Sequence, residues 1–166
     1  MPGTGSRLDS VAPLVGVLAV IALGLSAGAM LAEGAVLVPY WRSLPPEAFL
    51  QWYAANAARL VEFFGPVEIA AAVLAIAAAA LSGASRRRGS GLLALSAVLA
   101  VVILAFFPVY FQDVNASFAA GTIPLDQVPT ELARWSALHW VRTAIGVGAF
   151  VAAVLGHSQA GERSRS

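Results

Sequence analysis

Three observations predict an all-α fold, an integral membrane four-helix transmembrane bundle. Hydrophobic residues make up 59% of the 166-residue chain and charged residues only 11%, where a soluble domain carries about a quarter charged residues. Four apolar runs recur along the chain, each able to supply the roughly 20 residues that cross a bilayer. Basic residues gather at the termini and in one tight loop, a distribution that gives a four-span chain a definite orientation. The length suits one small bundle and leaves no room for a second domain.

Residues 1–10, with Gly, Ser, one Arg and one Asp, read as a disordered lead-in. A single four-helix transmembrane domain is expected over 11–157, and 158–166 reads as a polar, disordered tail. The first span is expected at 11–38, an apolar run interrupted only by Glu33 and bounded by Pro13 and Pro39; its length allows a tilted crossing. Within it Gly24, Gly28 and Ala32 form a small-residue stripe that would admit a neighbouring helix. Residues 40–59 are polar and aromatic, with Trp41, Trp52 and Tyr53, and read as an interfacial loop or short amphipathic helix, because Trp and Tyr concentrate at the headgroup level. The second span, 60–81, carries Glu62, Pro66 and Glu68 in its first third and is Ala-rich afterwards.

The basic loop Ser85-Arg86-Arg87-Arg88-Gly89-Ser90 is the strongest topological signal. A third span is expected at 92–111, with Pro108 loosening its last turn by removing the bond to the Leu104 carbonyl. Residues 112–129 read as a loop, and the fourth span is expected at 132–155. Arg7, Arg86 to Arg88, Arg163 and Arg165 fall on one side of such a bundle. By the positive-inside rule both termini are then cytoplasmic, and the chain is a multi-pass protein of the plasma (inner) membrane. Basic residues that are all Arg, beside abundant Ala and Gly, suit a GC-rich bacterial genome.

The chemistry concentrates in the fourth span. Trp135, His139, Arg142 and Gly146 are spaced four, three and four apart and share one helix face. A rise of 1.5 Å per residue puts His139 about 10 Å and Arg142 about 15 Å inside a hydrocarbon layer roughly 30 Å thick. A guanidinium at that depth must face the protein interior and find an anionic or carbonyl partner. Glu33 lies about 7 Å and Glu68 about 10 Å below the same outer surface. Three helices thus place ionisable groups in one layer, with Tyr110 and Asn115 near its rim, and the layer reads as a pocket in the outer half of the bundle.

The pattern Asn115, then Trp135-x3-His139-x2-Arg142-Thr143, is similar to the C-terminal signature of the anthrone oxygenase family, small four-span membrane proteins most of which have no assigned function. The resemblance extends to a Gly-rich first span ending in Pro39 before an aromatic loop with Leu44-Pro45, and covers about residues 24–150. It implies an oxidation of anthrones to anthraquinones with oxygen and no established organic cofactor. A weaker resemblance is to other four-span membrane proteins with an aromatic, Leu-Pro-containing first loop; those lack the His-x2-Arg pair.

Each residue carries two readings. His139 is a general base for a flat aromatic substrate, or a buried histidine bonded to a carboxylate for packing. Arg142 stabilises an enolate-like anion, or is the structural counter-ion of Glu33 or Glu68, with Glu68 favoured by depth. Glu33, Glu68, Tyr110, Asn115 and Trp135 complete the expected substrate pocket, with Trp135 as its floor. No cofactor is favoured; Glu33, Glu68 and His139 also resemble the two-carboxylate, one-imidazole ligand type of a non-haem metal, without its sequence spacing. Cysteine is absent, which excludes disulfides, thiolate metal sites and cysteine nucleophiles. No phosphate loop, dinucleotide-binding glycine pattern or nucleic-acid-binding patch occurs.

The leading expectation is therefore a small membrane oxidoreductase acting on a hydrophobic, polycyclic phenolic compound. Its alternative is a non-catalytic accessory or ligand-binding protein whose buried polar cluster holds the helices together. Intramembrane acids also mark proton paths, but a four-span transporter would need a dimer. The partners expected are the lipid bilayer and a hydrophobic small molecule, with a homo-oligomer tied to that last reading and no nucleic acid.

Overall fold

The computed structural model describes residues 4–161, and among them every element is helical. Helix α1 spans Thr4–Ala32, passes through a π-helical segment at Glu33–Leu37 and continues as α2, Val38–Ser43. After a two-residue break at Leu44 and Pro45, α3 runs over Pro46–Ala84. Helix α4, Ser90–Phe106, passes through a second π-helical segment, Phe107–Phe111, into α5, Gln112–Ala120. Helix α6 covers Val128–Gly161. Four helical stretches are long and apolar enough to cross a membrane: Val11–Ser43, Pro46–Ala84, Ser90–Ala120 and Val128–Gly161. The chain is a multi-pass, all-α membrane protein.

The helices are longer than the sequence suggests, for local reasons. Pro45 is extended at φ −56°, ψ 148°, and Pro46 sits at the first helical position, where its fixed φ is pre-organised and its missing N–H costs nothing. Helix α3 therefore starts at Pro46 and absorbs most of 40–59, which the aromatic content suggests is an interfacial segment. Its aromatic residues turn inward: Phe49 and Tyr53, four apart, are both buried. Pro108 does not end the third helix. The wide turn absorbs it, the Gln112 N–H bonds the Phe107 carbonyl five residues back, and α5 occupies the first half of the expected 112–129 loop. That helix stops at Gly121, whose φ of +62° suits the left-handed residue that closes a helix. The ends read as disordered extend the helices where they are described, from Thr4 and up to Gly161; residues 1–3 and 162–166 lie outside the described residues.

The four stretches form a ring in which α1 packs on α3 and α6, and α4 packs on the same two. Chain direction alternates, so the 86–88 loop lies at the same end as the start of α1 and the end of α6. Two close approaches hold that end. Gly89, at φ +80°, lies against the Gly156 backbone with no space for a Cβ, and the His157 ring occupies the space a side chain at Gly16 would fill. The expected small-residue stripe is only partly used: Gly24 receives Phe150, but nothing packs on Gly28 and Ala32 is exposed.

Packing differs between the two halves. Toward the Arg end the core is mostly alanine, with Ala71, Ala72, Ala75, Ala97, Ala100, Ala149 and Ala153 buried around Leu23. Without a hydrophobic driving force between helices in lipid, small residues gain stability by close backbone approach. Toward the other end the core is aromatic: Trp41, Phe49, Tyr53, Phe111, Phe118 and Trp135. Trp41 touches Phe49, Trp52, Tyr53 and Trp135 at centroid distances of 5.5–6.1 Å, within the range of favourable ring pairs. The polar layer lies between these two halves.

Candidate functional site

Glu33, Glu68, His139 and Arg142 meet inside the bundle, all buried. Arg142 Nη2 lies 3.4 Å from Glu68 Oε1 and 3.8 Å from Glu33 Oε2. The preference for Glu68 expected from depth agrees with the shorter distance, but the guanidinium bridges both acids. Its Cζ also sits 4.7 Å from the centre of the Phe111 ring, a cation–π contact in a site with little water to compete.

His139 is 0% exposed and held on three sides. Its ring stacks on Trp135 at 5.0 Å with 8° between planes. Nε2 lies 2.8 Å from the Met30 carbonyl, and a carbonyl only accepts, so Nε2 carries the hydrogen. Nδ1 then faces Glu33 Oε2 at 3.6 Å. Two acceptors oppose each other across that gap, an arrangement suited to one proton on either atom. The geometry depends on the π-helical segment that begins at Glu33: the Val38 N–H reaches the Glu33 carbonyl five residues back, and such wide turns recur at functional sites because they re-aim side chains. Gly34 completes the fit, since a Cβ there would lie 3.1 Å from His139 Cδ2 and from Trp140 Cζ2. Gly146 likewise leaves room for Met30.

A cavity of about 430 Å³ adjoins the cluster, with Glu33, Glu68 and Arg142 in its wall and Tyr53, Phe107, Phe111 and Trp135 among its rings. Its mouth lies between α3 and α4, where the lining residues Val61, Ile69 and Phe107 are exposed on the membrane-facing surface. A groove of about 520 Å³ on the α1 side of α3 also reaches Glu33, beside Asn56 and Arg59. Asn115 lines the cavity and accepts a 2.8 Å hydrogen bond from Trp135 Nε1, so the two residues that open the sequence pattern are bonded across helices. Thr143 bonds the His139 carbonyl within α6 at 2.9 Å, a local helix contact.

Two expected site residues stand elsewhere. His139 is not in the cavity wall: Trp135 covers its face, and Glu33 stands between it and the space. Tyr110 is not in the wall either: in the wide turn Phe111 is buried against the cavity and Phe107 stands exposed at its edge, whereas Tyr110 reaches the start of α6, where its hydroxyl donates to Glu131 Oε1 at 2.6 Å and Arg134 lies 5.2 Å over its ring. The metal expectation also changes. Among the described residues no three His, Asp or Glu side chains converge as a ligand set, and the Arg142 guanidinium already stands between the two carboxylates as a fixed cation.

The residues missed from sequence lie mainly on α3. Tyr53, Leu60 and Phe64 line the cavity together with the expected Glu68, at intervals of seven, four and four, one continuous face. That face is visible only if 46–84 is read as a single helix. Glu33 Oε2, Glu68 Oε1, His139 Nδ1 and Arg142 Nε are buried without a hydrogen-bond partner. Buried polar atoms are rarely left so, and here Glu33, Glu68 and Arg142 border a space that a polar-edged ligand can fill. In comparisons with known proteins, the chain matches no protein-family model, no curated protein and no solved structure.

Proposed function

We propose that the protein is a small membrane oxidoreductase of anthrone-oxygenase-like activity, converting the central CH2 of a hydrophobic polycyclic phenol to a carbonyl with molecular oxygen. The observation that carries this reading is an apolar, aromatic-walled cavity, open between α3 and α4 and ending on two carboxyls that share one guanidinium. Its volume lies in the range that takes drug-sized ligands, and its membrane-facing mouth suits a compound that partitions into the bilayer.

In this reading Glu33 is the base, because it alone of the Glu33–His139 pair lines the cavity. Its carboxylate takes a proton from the CH2, and the C–H electron pair is left on the ring system as an enolate that Arg142 stabilises. The enolate carbon is oxidised by O2 with formation of a C–O bond, and the Glu33 proton completes the hydroperoxide. Removal of the second C–H proton then forms the C=O as the O–O bond breaks, and the departing hydroxide takes up that proton as water. One O2 is consumed, one water is released, and Glu33 returns to its starting form. His139 is a positioning residue: held by the Trp135 ring and the Met30 carbonyl, it packs behind the Glu33 carboxyl.

We place the Arg86-to-Arg88 end in the cytoplasm of a bacterial inner membrane by the positive-inside rule, with the cavity in the outer half of the bundle. The test is oxygen consumption and thermal unfolding on the same purified variants, with a hydroxyanthrone in detergent. Glu33→Gln should lower turnover by roughly 10² to 10⁴ while remaining folded. A folded Glu33→Gln protein with wild-type turnover overturns the assignment. A wild-type protein that binds the compound without consuming oxygen supports instead the non-catalytic, ligand-binding reading.

A further inference from the structure

Among the described residues, the charged groups in the wall of the large cavity are two carboxyls, Glu33 and Glu68, and one guanidinium, Arg142. His139 stands behind Glu33, with its Nε2 hydrogen committed to the Met30 carbonyl and its Nδ1 facing Glu33 Oε2. The cluster therefore has two charge states. With one proton between Glu33 and His139 that pair is neutral overall, and Glu68 balances Arg142. Without that proton both carboxyls are ionised, the imidazole is neutral, and the cluster carries one net negative charge. The second state is the one that takes a proton from the substrate. A net charge in a poorly solvating interior is costly until a counter-charge reaches it.

Two features of the wall suit such a counter-charge. Glu33 and Glu68 are only 5% and 9% exposed, yet Glu33 Oε2 and Glu68 Oε1 have no hydrogen-bond partner. Their distances to Arg142 Nη2, 3.8 and 3.4 Å, exceed the roughly 2.7–2.9 Å of a charge-assisted hydrogen bond, so both oxygens remain open to a donor. The rest of the wall is aromatic, with Tyr53, Phe64, Phe107 and Trp135, and the faces of such rings attract cations. That contact already occurs in the cluster, where Arg142 Cζ lies 4.7 Å from the centre of the Phe111 ring. Ionised carboxyls beside rings select a cation over a neutral polar group, and the apolar wall selects an organic body over a hydrated inorganic ion.

We propose that the ligand of this cavity carries a positive charge, as a protonated amine on a polycyclic ring system, with its ammonium group bonded to the Glu68 and Glu33 carboxyls. The assignment rests on the reading of this cavity as the substrate site, and it narrows the substrate to an amine-bearing aromatic compound. The charge of the ligand stands in for the proton that is absent from the Glu33–His139 pair in the reactive state. An anionic ring compound of the same shape would add a second negative charge to the cluster and is excluded by repulsion.

The experiment uses the whole purified chain in an uncharged detergent and three fluorescent ligands of one shape: 9-(aminomethyl)anthracene, 9-(hydroxymethyl)anthracene and anthracene-9-carboxylate. The amine should bind at least about tenfold more tightly than the alcohol, the factor of one charge-assisted hydrogen bond, and the carboxylate should bind most weakly. Glu68→Gln removes one negative charge and should shrink the amine's advantage to roughly threefold or less, while the alcohol keeps its Kd. Should Glu68→Gln fail to fold, Glu33→Gln changes the same charge count and serves as the second variant. An amine that binds no more tightly than the alcohol, or an advantage that survives the substitution, overturns the cationic ligand and leaves the cavity as the binding site for a neutral ring compound. Failure of all three to bind overturns both readings. An amine advantage together with no oxygen consumption on an amine-bearing hydroxyanthrone upholds the cationic ligand and overturns the oxidase.

Discussion

At the scale of single residues, the protein is organised by Arg142 and the two carboxyls it serves. Removing one partner of a buried ion cluster typically costs about 3–5 kcal/mol, because the remaining charges lose compensation in a poorly solvating interior. Arg142→Met is expected to lose stability on that order in chemical unfolding of the detergent-solubilised protein. Adding Glu68→Gln should restore part of the loss, since Glu68 gives the shorter distance, 3.4 Å against 3.8 Å for Glu33. Strictly additive losses would show that Arg142 and Glu68 do not interact. The Asn115–Trp135 bond makes a milder case. A neutral hydrogen bond contributes about 1 kcal/mol, so a cycle of Asn115→Leu and Trp135→Phe should give a coupling of about that size, and a coupling near zero would count against the bond.

At the scale of elements, glycines and wide turns decide where helices meet and where they part. Gly65 on α3 lines the cavity, and an added Cβ would touch nothing within 4 Å. Gly65→Leu should therefore leave the melting temperature unchanged or raise it, since leucine is better than glycine in a helix by up to about 1 kcal/mol. The same side chain should occupy the cavity and abolish binding of a fluorescent polycyclic phenol; retained binding would place the ligand elsewhere. Gly89 behaves in the opposite way. Its left-handed φ and its contact with the Gly156 backbone admit no side chain, so Gly89→Ala is expected to cost at least about 1–2 kcal/mol, read as a lower unfolding midpoint. An unchanged midpoint would mean that the loop and α6 are not in contact.

At the scale of the whole molecule, the ring of four antiparallel stretches puts residues 43–46 and 120–128 at one end and the 84–90 loop at the other. Cysteine labelling of Ser90→Cys and Thr122→Cys with an impermeant reagent should occur from opposite sides of the membrane, and labelling of both from one side would refute the four-crossing topology. The division of the core into an alanine half and an aromatic half explains why the ring-lined cavity forms where it does. Alanine faces bring helix backbones together, whereas rings hold them apart and leave gaps that other rings do not fill completely.

Composition and apolar run length alone were enough to define an all-α bundle with four crossings, because the bilayer permits a chain of this pattern only helices that satisfy their own backbone. Helical spacing alone brought Trp135, His139, Arg142 and Gly146 onto one buried face, and depth counting placed Glu33 and Glu68 level with them. Only the tertiary structure decided which of those groups faces the cavity. Each of the two π-helical segments inserts an extra residue into a turn, which shifts the downstream residues by roughly 100° from an unbroken α-helix; within the second, Phe111 lines the cavity and Tyr110 does not. No periodic pattern in the sequence announces such a turn. Nor does it announce that Pro46 begins a 39-residue helix, and without that continuity Tyr53, Leu60 and Phe64 do not align with Glu68. His139 was legible as buried and polar, but its place behind Glu33 depended on Trp135 and Gly34 closing over it, a matter of side-chain volume between helices far apart in the chain.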